Sequence, residues 1–342
     1  MSLPAPRGLR RVGPLAMILP PRLLMVQAML LAAVLVLAFA SLMQGRAPLT
    51  PAMLWDALSG QGPAARIVLD IRLPRLLTAV LVGAALAMSG AAMQSVTRNP
   101  LGSPDIIGLT TGAATGALIW LMIVGPTALG LALSAVAGGV LTVLAVLGLA
   151  AGRGARGLVL TGFGLGAMLA AVNGVILVRG DLDRVMGAAL WLAGSLEARS
   201  WADAAMAGLA VALAGPVLVA LSRPMALAEM GDDIAHAFGL RAGWLRIWAT
   251  LAGVTLAALA VGAAGPIPFV ALAAPQIARA MVRAQGPAVV TSALVGAVLV
   301  LGADLAARNL PLPASISIGH VTGILGGIYL LGLLILRGRA RS

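Results

Sequence analysis

Long apolar runs, separated by short polar punctuation, dominate the chain. A helix needs about 20 apolar residues to cross the hydrocarbon core of a bilayer. Runs of that kind lie near 23–42, 75–96, 105–125, 128–151, 157–179, 203–222, 244–264, 267–284, 288–307 and 315–336. The pattern predicts an all-α, polytopic membrane protein of about ten transmembrane helices, forming one domain over 1–342. The first run follows a tail, 1–22, that carries Arg7, Arg10, Arg11 and Arg22. It is too long for a secretory h-region of ~7–15 residues, so it reads as a retained first span. Gly265-Pro266 and Pro275 interrupt the eighth run and mark it as an irregular helix.

One polar island stands out between two of these runs. Leu227 to Leu240 reads as a short helix at the membrane surface: Asp232 can cap its first turn, Asp233 favours its positive end, and Gly239 can end it in the left-handed conformation. Met230, Ile234 and Phe238 recur every four residues and form an apolar stripe. Helices that lie on lipid usually carry Arg or Lys on the polar face. This one carries Glu229, Asp232 and Asp233, so it fits a groove on a soluble partner better.

Composition narrows the class. The chain is 61% hydrophobic and 10% charged with mean hydropathy +1.04, whereas a soluble protein is about 45–50% apolar. It has no cysteine, which excludes disulfides and thiolate sites, and only His236 and His320 as histidines. All 23 basic residues are Arg, giving a net charge of +12. They punctuate apolar runs and make no basic face with aromatics, which argues against nucleic acid. With both termini placed inside, 15 Arg fall on the cytoplasmic side and eight outside, the bias that sets orientation.

Candidate interaction residues follow. Arg72 and Arg75 open the second run and would oppose the helix dipole unless an anion offsets them. Arg308 lies four residues after Asp304 and can pair with it. Three such guanidiniums suit carboxylates on a docking protein. In the turn from Arg98 to Asp105, Ser103 or Asp105 can cap the third span. Gly83, Ala87 and Gly90, Gly108, Gly112 and Gly116, and Gly162, Gly164 and Gly166 let helices approach closely. Gln94 and Asn173, at membrane depth, read as hydrogen-bonding glue or cavity lining. The 180–200 loop, with Trp191 and Gly194-Ser195, is too apolar to lie free in water and should fold back into the bundle. No phosphate loop or hydrolytic set is present. By this span placement all eleven acids fall in loops or near span ends, which disfavours an ion-coupled transporter.

Taken together these residues resemble the FecCD/BtuC-type permeases of bacterial iron-siderophore and vitamin B12 ABC importers. The motifs are Arg72-Leu-Pro-Arg75, Gly83 to Gly90, Gln94 with Arg98-Asn-Pro-Leu101, Trp191 with Gly194-Ser-Leu196, Gly231-Asp-Asp-Ile-Ala235 with Phe238-Gly-Leu240, Gly265-Pro-Ile267, Ile277-Ala-Arg279, and Asp304 with Arg308. Leu101 to Asp105, Leu227 to Asp233 and Leu325 to Leu330 look most like the ferric-enterobactin branch. Gln276 departs from the family's usual His, and Ile316 to Gly319 from its usual Leu-Pro-x-Gly.

The resemblance implies an ABC type II importer permease fold in the bacterial inner membrane. It implies a dimer with a second, identical or related permease subunit, two ABC ATPase subunits that hold ATP and Mg, and a periplasmic or lipid-anchored binding protein. No cofactor is bound by this chain and no catalysis is expected on it. Within 227–241, Glu229, Met230, Gly231, Asp232, Asp233, Ile234, Phe238 and Gly239 would couple to the ATPase, and Arg72, Arg75 and Arg308 would receive the binding protein. Gly162, Gly166, Asn173, Trp191, Gly194 and Ser195 would line the pathway for a ferric siderophore, with haem or cobalamin as the alternative cargo.

Overall fold

The computed structural model describes residues 9–12, 15–18, 20–45, 48–125, 127–151, 153–309 and 316–339. Every expected run is helical: α1 (Pro21–Met43), α3 (Leu73–Thr97), α4 (Leu109–Ile123), α5 (Ala128–Leu149), α6 (Gly154–Arg179), α8 (Trp201–Glu229), α10 (Ala242–Ala264), α11 (Val270–Val282), α12 (Val289–Asn309) and α13 (Ile318–Arg339). Among the described residues, seven helices are long and apolar enough to cross a membrane, and three shorter apolar helices accompany them. Short helices α2 (Pro51–Leu58), α7 (Leu182–Leu192) and α9 (Asp232–Ala237) fill the connections. The N-terminal tail holds a small antiparallel hairpin, Leu9–Val12 against Leu15–Ile18, which the all-helical pattern did not anticipate. At the other end α13 runs on to Arg339, so the tail expected from 337 begins as helix.

α3 is the hub and packs on α8, α10, α11 and α12. Its small side chains make this possible, because lipid supplies no hydrophobic drive between helices and close backbone approach must do the work. A Cβ on Gly83 would lie 2.4 Å from the Gly296 carbonyl oxygen of α12, and one on Gly90 only 1.8 Å from that of Ala271 on α11. α4 and α5 meet in the same way through Gly112, Gly116 and Gly138. Gly162 and Gly166 face Gly108, whereas Gly164 faces open space.

The second span begins earlier than the hydropathy suggests. A π-helical segment, Ile67–Arg72, runs directly into α3, so Arg72 and Arg75 do not stand at a free helix end. Pro74, five residues on from Leu69, has no N–H to close the π turn, and the Trp201 indole N–H donates to the Leu69 carbonyl at 3.1 Å.

Two stretches break the helical order inside the bundle. The chain from Arg98 to Gly108 returns from the end of α3 through a 3-10 turn, Pro104–Ile107, before α4 begins. Gly265–Phe269 separates α10 from α11. Together with Leu86, near the middle of α3, these stretches enclose a cavity of about 60 Å³. Non-helical backbone at such depth is tolerated where it is buried in protein or lines a cavity.

Candidate functional site

Polar side chains gather at the two ends of α3, about 35 Å apart at 1.5 Å per residue. At the first end, Arg75 donates from Nε and Nη2 to Asp304 Oδ1 at 3.2 and 2.7 Å. Arg308 Nη2 lies 2.6 Å from Asp304 Oδ2 and also donates to Ser41 Oγ at 2.6 Å. The expected Asp304–Arg308 pair therefore forms, and Arg75 joins it from α3. Arg72 is buried and donates to the carbonyls of Leu42 and Met43 at the end of α1. The anion required by Arg75 is thus internal. Asp304 is 2% exposed, while Arg75 and Arg308 keep 20% and 21% of their side chains open. Two guanidiniums on one carboxylate, with buried Arg72 behind them, leave a positive rim at this end.

At the second end, α9 is shorter than the helix expected over 227–240. α8 continues to Glu229, Gly231 is the N-cap at φ 143°, and Asp232 is the first helical residue. Asp232 does not cap; its carboxylate accepts from Arg98, the C-cap of α3, and from Arg246 of α10. The Arg246 hydrogen bond first, and Arg98 after it, hold the Asp232 carboxyl below the usual carboxylate range. Gly239 takes the left-handed conformation expected of it, at φ 74°. Met230 and Phe238 are each 67% exposed, Ile234 is half-buried, and Asp233 is exposed. The loop thus presents two large apolar side chains on a rigid mount tied to α3 and α10.

Beside α9 lies a polar cavity of about 410 Å³, walled by Gln94 and Arg98 of α3, Glu229 of α8, and Gln276 and Arg279 of α11. Gln94 accepts from Arg279 and donates to the Leu272 carbonyl at 2.9 Å. It is both glue and cavity wall. Gln276 donates to the Pro100 carbonyl at 2.7 Å and so pins the turn after α3.

Mid-depth residues make a third group. Asn173 of α6 donates to the Thr111 carbonyl of α4 at 3.3 Å and is buried, so it holds two helices together. Trp191 is half-buried against the main core. Gly194, at φ 68°, approaches Pro266 so closely that a Cβ would lie 2.1 Å from its carbonyl oxygen. Ser195 N–H donates to the Ala264 carbonyl at 3.0 Å, and Ser317 Oγ to that of Ala193 at 3.0 Å. The 180–200 loop therefore folds back into the bundle and joins the α10–α11 break to the start of α13.

Sequence reasoning placed Asp105 in a surface turn as a possible helix cap. The structure places it on the wall of the small cavity with Leu86, Ala257, Val261 and Pro268, level with the middle of α3; it stays exposed there and accepts from Thr110. Gly108 is the N-cap of α4, and neither Ser103 nor Asp105 caps it. The spacing of two prolines and a glycine gave no signal of depth, because a surface turn and a re-entrant one share that chemistry.

The structure thus joins a clustered positive rim, an exposed apolar knob at the other end and a broken helical core between them. Comparison with known proteins decides the family. Residues 32–337 match the FecCD transport family. The chain belongs to that family. It is 41% identical over 324 residues to the ferric enterobactin transport system permease protein FepG of Escherichia coli, covering 94% of this chain and 98% of that protein. It is also 41% identical to the achromobactin permease CbrC of Dickeya dadantii, over 89% and 90% of the two chains, and 34% identical to the hemin permease HmuU of Yersinia pestis, over 94% and 98%. Its fold matches an inward-facing metal-chelate type ABC transporter with a TM-score of 0.80 at 29% identity, over 91% of this chain and 98% of that one. This FecCD member is accordingly a multi-pass permease subunit of an ABC importer of the iron-siderophore and hemin type, whose family works with an ATPase, a second permease and a substrate-binding protein.

Proposed function

We propose that this permease passes a ferric siderophore of the catecholate type across the bacterial inner membrane, with both termini in the cytoplasm. The observation that carries the substrate class is the 41% identity with FepG along nearly the whole of both chains. The Arg bias supports the orientation: the α9 end then faces the cytoplasm and the Asp304 end faces outward.

On this reading the positive rim of Arg75 and Arg308, backed by buried Arg72, receives acidic residues of a periplasmic or lipid-anchored binding protein. The knob from Glu229 to Gly239, led by Met230 and Phe238, sits in a cleft of the ATPase, where ATP and Mg are bound. Closure of the ATPase pair moves α9, and its ties through Asp232 carry the motion into α3 and α10. The cargo crosses beside a second permease subunit along α6, α13 and the fold-back loop, with Gly162, Gly166, Asn173, Trp191, Gly194 and Ser195 shaping the wall. No reaction on the cargo is assigned to this chain; gating is rigid-body and hinge motion.

A second cargo, haem, is favoured by the 34% identity with HmuU over a similar length. The deciding experiment is uptake of radiolabelled iron, supplied as a tri-catecholate chelate or as haem, in cells lacking this chain and in the same cells with it restored. Loss and recovery of catecholate uptake alone is the expected result. Recovery of haem uptake alone would replace the catecholate reading, and unchanged uptake of both would remove it.

A further inference from the structure

The turn after α3 puts an acid where the bilayer is driest. Asp105 shares the wall of the small cavity with Leu86, at the middle of α3. Gly108, which closes the same turn, lies against Gly162 and against Gly166 at the centre of α6. Two helices thus give the turn the same depth. Protein atoms crowd the neighbourhood of Asp105, yet the residue itself is exposed. A residue that is deep and exposed at once stands at the edge of a recess. Thr110 donates to Asp105 Oδ1, and among the described residues no guanidinium pairs with this acid.

An exposed carboxylate at this depth has few places to look. Ionisable groups inside a membrane turn away from lipid, toward protein or a water-filled cavity. The backbone gives independent support. Pro104–Ile107 is a 3-10 turn between long helices, and non-helical backbone at membrane depth survives only inside protein or beside water. The open side of Asp105 selects water. We propose that Asp105 lines an aqueous passage through the middle of the bilayer and that the cargo crosses past it. The wall at this level is then the segment from Pro104 to Thr110. Gly194 and Ser195 close the bundle behind it, because they are spent on contacts to the Pro266 and Ala264 backbone. A carboxylate offers acceptors and no positive charge, so it gives an anionic tri-catecholate chelate nothing to hold. Asp105 is a hydrated point of passage and does not build a binding site.

The cargo step rests on the importer reading above; the aqueous passage does not, and the test separates them. The chain has no cysteine, so a single introduced thiol reports water at its own position. The purified permease in lipid nanodiscs exposes both faces to a charged methanethiosulfonate. Asp105→Cys should react within about tenfold of the rate of Gln61→Cys, which lies in the exposed turn after α2, because a hydrated thiol can ionise to the reactive thiolate. Leu31→Cys, exposed at the centre of α1, should be slower than both by at least about a hundredfold, since lipid withholds water from the thiol. A rate for Asp105→Cys as low as that of Leu31→Cys would overturn the passage, whether lipid or a second subunit covers the position. Thr110→Cys, on the same cavity wall, repeats the measurement if the first variant folds poorly.

Uptake of radiolabelled iron as the tri-catecholate chelate tests the cargo step. Asp105→Trp puts a large side chain into the recess and should cut uptake by at least about tenfold, while Asp105→Asn, of nearly the same size, should keep it within about twofold of wild type. Undiminished uptake through Asp105→Trp would take the cargo off this route and overturn the proposal. If the wild-type chain itself restores no uptake, the importer reading fails and takes the cargo step with it, and the thiol rates still decide whether water reaches Asp105.

Discussion

Asp304 is the residue on which the positive rim depends. It is nearly inaccessible and balances Arg75 and Arg308 at once. Removing the acid leaves two cations facing each other with no counter-charge, and breaking a buried ion pair from one side costs about 3–5 kcal/mol. Asp304→Ala should therefore lower the thermal unfolding temperature in detergent clearly more than Arg308→Ala, and an equal drop would show that the acid is not the keystone. Asp232, at the other end, is partly open and its role shows in pH. Its folded pKa is depressed by Arg246 and Arg98. The stability it supplies is present above its ordinary value of 3.8 and is lost as pH falls through the lower folded value. Hydrogen exchange of α9 should accelerate on acidification into that range, and Asp232→Asn should abolish the acid-dependent step while raising exchange at neutral pH.

At the scale of elements, the packing of α3 rests on missing side chains. A Cβ at Gly90 would meet the Ala271 backbone at 1.8 Å, an approach that only a shift of α11 could relieve. At Gly302 of α12 nothing lies within 4 Å. Gly90→Leu should destabilise the fold by about 1–3 kcal/mol or more through overpacking. Gly302→Ala should be neutral or gain up to about 1 kcal/mol from helix propensity. Thermal unfolding of the two variants side by side checks both signs. The glycine spacing already announced close approach, but it did not say which glycine of a set does the packing. Gly162 and Gly166 face Gly108 while Gly164 does not, and that choice depends on the rotation of α6, which a uniformly apolar helix does not reveal.

At the scale of the whole molecule, α6 is a long apolar helix with little of its surface covered by its own chain. Phe163 is 73% exposed and Val178 87%. α1 is similarly open, yet it stands at the edge beside α12. α6, in contrast, packs on the re-entrant turn and faces outward from the broken core. In the assembled importer this face should be covered by the second permease subunit. Phe163→Cys labelled with benzophenone-4-maleimide should photo-crosslink to that subunit, whereas Phe39→Cys on α1 labelled the same way should not; crosslinking through α1 alone would place the interface elsewhere.

Ten apolar helical runs, the polar island between α8 and α10 with its apolar stripe, the Asp304–Arg308 pair and the family likeness were all legible in the sequence. The reason is that lipid imposes a length and a polarity on each span, and local spacing on one helix determines i, i+4 partners. What only the tertiary structure decided concerns partners distant along the chain. Arg75 finds Asp304 across 229 positions, Arg98 finds Asp232 across 134, and Arg279 finds Gln94 across 185. The depth of Asp105 is of the same kind. A hydropathy pattern records whether a position prefers water or lipid; it carries no record of which side chain stands opposite, because that depends on how the helices rotate and cross once they pack.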